Sequence, residues 1–181
     1  NMNGNSNGYN GNDGVDTSIT YPSGFIEESA DFSAGASSVI GVADSSVFSF
    51  GNGTTDTAFS ISFWVNYNSI TSPSDKPSYI KKQGGSFREW SIMTDSVGRI
   101  SCYLYSNNSS TLQKRGYKLF TPSLSTWYHV VMTYAGGSGT TNFPLIYINN
   151  DASSPLTLEV GTYVAMQNTS EGLSFGKVTF S

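Results

Sequence analysis

From Ile19 onward, apolar and polar side chains alternate in short runs with a period of two residues. The clearest run is FSISFWVNY, where Phe59, Ile61, Phe63, Val65 and Tyr67 alternate with Ser60, Ser62, Trp64 and Asn66. Successive strand side chains point to opposite sides of a sheet, so this run predicts a strand with one oily face and one mixed face. Further runs lie at PSYIKK, REWSIMTD, GRISCYLYS, GYKLFTP, WYHVVMTYA, PLIYINN, LTLEVG and LSFGKVTFS, separated by turn-forming clusters of Gly, Asn, Ser and Asp. Both sides of WYHVVMTYA are apolar, which predicts a central strand, and DSVG at 95–98 predicts a hairpin turn. No stretch of ten or more residues carries a 3.6-residue period, so helix should be minimal. The pattern predicts an all-β fold, an antiparallel two-sheet β-sandwich of the jelly-roll kind. With no internal repeat and no second composition regime, residues 1–181 form one domain. Residues 1–18, mostly Asn, Gly, Ser and Asp, read as a linker in isolation, being too poor in apolar surface to offset the entropy of ordering.

Composition narrows the function. Only 12% of residues are charged, about half the usual share of a soluble domain, so Asn, Ser, Thr and Gly carry solubility. A net charge of −4 argues against nucleic acid as a partner, because phosphate neutralisation needs clustered Lys and Arg. The one basic cluster, Gln113 to Lys118, reads as a solvated hairpin. No run is long and apolar enough to span a membrane. Cys102 is the single cysteine, so no intrachain disulfide forms; flanked at two-residue spacing by Ile100 and Leu104, it reads as a core residue. A disulfide-free sandwich suits folding in a reducing cytosol. A weakly charged surface on such a fold suits a particle assembled inside a cell and later released, so the expected location is a virion surface or another extracellular setting.

The order of the runs resembles the laminin-G-like modules of the concanavalin A-like lectin/glucanase superfamily, found in phage structural and bacterial surface proteins. The likeness rests on ADFSAGASSVIGVADSSVFSF, then FSISFWVNY, then WYHVVMTYAGG, then LIYINN. It implies two antiparallel sheets, one gently concave, with ligand bound at the concave face or its rim in some members. Members usually carry a strand ahead of the Asn/Gly-rich segment and a closing strand with an Asp-Glu pair. Neither is found between Asn1 and Ser181, which implies part of a longer chain or a fold completed by a neighbouring chain. Edges left open by missing strands would need partners.

The enzymatic branch of the superfamily uses carboxylates spaced along one strand, and retaining hydrolysis needs two of them about 5–5.5 Å apart. Glu27, Glu28 and Asp31 come nearest but lie in turn-like sequence, while Glu89, Glu159 and Glu171 are isolated. No catalytic residue is assigned and the module is expected not to be an enzyme. His129, the only histidine, lies inside a strong strand and reads as held by a structural hydrogen bond. Calcium needs six to eight oxygens; Asn10, Asn12, Asp13 and Asp16 offer some of them in a Gly-rich loop, and some relatives hold calcium at the rim. The candidate metal ligands are therefore Asn12, Asp13 and Asp16. Sugar recognition pairs an aromatic ring with the C–H face of a pyranose. Arg99, Ser101, Tyr103 and Tyr105 share the strand face opposite Cys102, and Arg88 and Trp90 are near in the chain. Arg88, Trp90, Tyr103 and Tyr105 form the candidate ligand platform. Together these features predict a non-catalytic, lectin-like structural or adhesion module whose partners are glycans or structural proteins of the same particle. The alternatives are a polysaccharide-degrading enzyme and a secreted bacterial adhesin.

Overall fold

The computed structural model describes residues 5–6, 14–34, 37–68, 78–94, 99–109, 111–138, 141–151 and 156–176. Its strands, in chain order, are β1 (Asn5–Ser6), β2 (Gly14–Thr17), β3 (Val39–Val42), β4 (Phe59–Asn66), β5 (Ser78–Gly84), β6 (Phe87–Thr94), β7 (Ile100–Tyr105), β8 (Gln113–Lys118), β9 (Trp127–Tyr134), β10 (Leu145–Ile148), β11 (Leu156–Val160) and β12 (Leu173–Gly176). One sheet runs β1-β2-β3-β12-β5-β6-β7-β8-β11 and the other β10-β9-β4. Every strand pairing is antiparallel. Among the described residues there is no α-helix, only a 3-10 turn at Ser46–Phe48.

The two-residue period sets the layers. Phe59 of β4, Val130, Met132 and Tyr134 of β9, and Ile146 and Ile148 of β10 meet Ile80, Trp90, Ile92, Ile100, Cys102 and Leu104 of the large sheet in one core. Each such side chain contributes roughly 1.5–3 kcal/mol by leaving water. As its two apolar sides require, β9 is central, paired with β4 on one edge and β10 on the other. Cys102 is fully buried, and burial pushes its thiol pKa up, so it is a packing residue rather than a nucleophile. Asn149 and Asn150 turn the chain after β10 with φ of 49° and 63°, a left-handed pair that asparagine tolerates, and Asp151 bridges back to Ile148.

Two expectations change. The Asn/Gly-rich start is not wholly linker, because β2 pairs along its length with β3; backbone pairing with a strand distant in the chain supplies the order its side chains do not. Nor is Gln113–Lys118 a solvated hairpin. It is strand β8, set between β7 and β11, with Lys114 and Lys118 turned inward. Their ammonium groups donate to the carbonyls of Asn142 (2.8 Å) and Asp151 (2.7 Å), which meets the cost of burial. Between them Gly116 lies against Pro144, whose carbonyl oxygen would stand 1.7 Å from any added Cβ.

One irregularity decides where side chains point. Between β5 and β6, Lys82 pairs with Trp90 but Gln83 pairs with Arg88, so Glu89 is an extra residue in a bulge. Arg88 and Trp90, which strict alternation places on one face, lie on opposite faces.

Candidate functional site

The expected platform is split by that bulge. Trp90 is 2% exposed. Its ring packs in the inter-sheet core beside Phe50 and Phe59, and its indole N–H donates to the carbonyl of Phe48 at 2.9 Å. Trp90 is thus withdrawn from the ligand platform. Arg88, Tyr103 and Tyr105 do share the outer face of the large sheet, with Met93 and Arg115. The tyrosine rings there are 8% and 6% exposed and stack on each other at 6.0 Å. The Arg115 guanidinium lies 4.3 Å over Tyr103. Burial pushes the Tyr105 hydroxyl pKa up to about 12. These ring faces are already used by neighbouring side chains. The centre of this face is polar, with Ser91 and Ser101 both fully buried.

An aromatic surface that is open lies on the other side of the molecule. The outer face of the three-stranded sheet carries Ser60, Ser62 and Trp64 from β4, and Trp127, His129, Val131 and Thr133 from β9. Trp64 and His129 are directly opposite across the strands and stack at 4.8 Å. His129 Nε2 shares a 2.7 Å hydrogen bond with Ser62 Oγ, which is the structural hydrogen bond expected of a strand histidine. Phe25 lies on Trp64 at 3.8 Å with 19° between the rings, and reaches toward Trp127 at 6.4 Å. Its loop is held by bridges Thr20–Asp31 and Ser23–Glu28 and by the Gly24 N–H donating to Glu27 O at 2.7 Å. A side chain at Gly24 would meet the Glu28 backbone at 2.9 Å, so only glycine closes the turn that lifts Phe25. Phe25 is 53% and Trp64 37% exposed. The strands of this sheet, FSISFWVN, WYHVVMTY and LIYI, contain no Asp, Glu, Lys or Arg. The strand surface is aromatic and hydroxyl-rimmed and bears no acid or base of its own, while the loop that delivers Phe25 carries the exposed carboxylates Glu27 and Glu28. Sequence reasoning missed it because Phe25 is far from Trp64 in the chain; the signal available was Trp64 and His129 on the polar side of their strands.

For metal binding, Asn12 and Asp13, like Asn10, lie outside the described residues. Asp16 lies in β2 and accepts a hydrogen bond from the Tyr21 hydroxyl. Among the described residues no three His, Cys, Asp or Glu side chains gather as a metal site. Asp44 and Glu89 are two carboxylates that converge, and they do so on the buried Lys82 ammonium rather than across a cleft.

The two-sheet geometry and the sequence agree on ancestry. Residues 34–170 match the family Laminin_G_3, described as the concanavalin A-like lectin/glucanases superfamily. The chain belongs to this superfamily. No curated protein matches its sequence. Among solved structures it is similar to the binding domain of Paraclostridial Mosquitocidal Protein 1, with a TM-score of 0.56 and 14% sequence identity. The superposition covers 92% of this chain and 44% of that one. At that identity the likeness establishes the fold. This superfamily member is thus a lectin-like module, and no helix among its described residues is long and apolar enough to cross a membrane.

Proposed function

We propose that the module is non-catalytic and binds uncharged glycans through the outer face of the three-stranded sheet, with Phe25 as the stacking ring, held in place by Trp64, and Ser62 and His129 as polar contacts. The observation that carries this reading is the exposed Phe25–Trp64–His129 stack on a sheet without charged side chains. A pyranose ring presents C–H groups on one face and hydroxyls at its edge; an exposed ring with hydroxyl and imidazole neighbours matches both. Lack of charge favours neutral over acidic sugars, since nothing on these strands would pair with a carboxylate or sulfate. The non-enzymatic part rests on Asp44 and Glu89, the two carboxylates that converge, which both point at the Lys82 ammonium, with Glu89 fully buried, rather than facing each other across a cleft. Display on a virion or other extracellular surface, as part of a structural or adhesive protein, is the setting that suits the lone buried thiol and sparse charge.

A glycan array together with a panel of neutral polysaccharides tests the reading. Binding to at least one neutral glycan, abolished by Trp64→Ala without loss of fold and without release of reducing ends, is expected. Binding that survives Trp64→Ala, or no binding to any sugar, would remove the proposal and leave protein–protein decoration in its place.

A further inference from the structure

Lys82 is fully buried in β5, and its ammonium nitrogen is surrounded by four oxygens. Asp44 Oδ1 lies at 2.6 Å, Glu89 Oε1 at 3.0 Å, the Thr169 carbonyl at 3.1 Å and the Glu171 carbonyl at 2.6 Å. An ammonium has three protons to give, so four close oxygens exceed its donors, and the fourth contact is electrostatic. Two carboxylates and two backbone carbonyls are also the ligand chemistry of a hard cation such as calcium. The charge count points the same way. One ammonium faces two carboxylates, and the second oxygen of the Glu89 carboxylate is buried with no hydrogen-bond partner. Three separate segments supply the cage, the loop after β3, the bulge in β6 and the loop before β12, and strand β5 supplies the lysine that fills it. Glu89 Oε1 also accepts from the Thr169 N–H at 2.7 Å and hydroxyl at 2.8 Å, so the cage fixes the loop that leads into β12.

We infer that this cage is a hard-cation site of the calcium type, filled by the protein's own lysine ammonium, which ties the loops together without a metal. Shortening Lys82 removes the built-in cation and leaves its oxygens able to take a divalent ion. The inference does not depend on glycan binding. The test is thermal unfolding of wild type and Lys82→Ala, each in chelator and in millimolar calcium. Relative to wild type, Lys82→Ala melts lower in chelator. Calcium then raises its melting temperature by at least about 5 °C more than it raises that of wild type, as a ligand well above its Kd does. Using the difference cancels any calcium held elsewhere. Asp44→Asn added to Lys82→Ala takes away one carboxylate and should weaken the calcium response at least about tenfold in half-saturating concentration. If Lys82→Ala unfolds without metal, refolding in calcium but not in chelator supports the inference equally. A variant that calcium rescues no better than it stabilises wild type, or that stays unfolded in calcium, overturns it.

Discussion

The two outer faces of this sandwich are both rich in aromatic side chains, yet they present opposite surfaces. On the large sheet, Tyr103 and Tyr105 lie flat on each other with Arg115 above, and almost none of either ring reaches solvent. On the small sheet, Phe25, Trp64 and His129 also stack, but the column ends in an open ring delivered by a loop. The difference lies in what occupies the last ring face. The Arg115 guanidinium caps the tyrosine pair, and no strand of the small sheet has a charged side chain to do the same for Phe25 at the end of its column. An aromatic-rich strand is therefore a poor guide to a binding site until the neighbours across the sheet are known.

That contrast can be broken at several points. The largest effect should come from the residue that looked like part of the platform and is not. Trp90→Ala is expected to cost roughly 3–5 kcal/mol of stability, as large-to-small changes of a core aromatic do. Arg88→Ala, two residues away across the bulge, should cost under about 0.5 kcal/mol. Denaturant melts of both variants check this, and equal losses would show that the bulge does not separate the faces. Next, Trp64→Ala should weaken glycan affinity by at least about 30-fold, near the 2 kcal/mol of an aromatic hot spot, while Tyr103→Ala in the same titration leaves affinity within about twofold.

Tyr105 gives a pH-dependent form of the comparison. Its pKa is raised by burial to about 12, above the ordinary tyrosine value near 10. The stability tied to its neutral form is whole below about pH 10 and is lost as pH rises from there through about 12. Tyr105→Phe should flatten that part of the alkaline stability curve, and a curve identical to wild type would contradict the burial of this hydroxyl. A modest effect is expected at Ser62→Ala, which removes the hydrogen bond to His129 and should cost about 0.5–1.5 kcal/mol. The loss of that restraint should also be visible as a shifted imidazole resonance in an NMR spectrum.

Much of the fold was legible in the chain because the two-residue period is a local property. Phe59, Ile61 and Phe63 point to the core side of β4, β9 is central, and Cys102 is buried, all as alternation requires. The functional surface was legible only in part. Tyr103 and Tyr105 do share a face with Arg88, but whether that face is open depends on Arg115 and on packing that no single strand encodes.

By itself, then, the sequence determined the element type, the order of the strands and the superfamily, since each follows from patterns within ten residues or from the order of such patterns. Tertiary structure decided three further things. One extra residue at Glu89 sent Trp90 into the core. Pairing with β7 and β11 turned Gln113–Lys118, and pairing with β3 turned Gly14–Thr17, into parts of the large sheet. A loop closed by Gly24 carried Phe25 onto Trp64. Each depends on which residues pair across strands or meet between segments, where the free energy is set by what lies opposite rather than by what lies next.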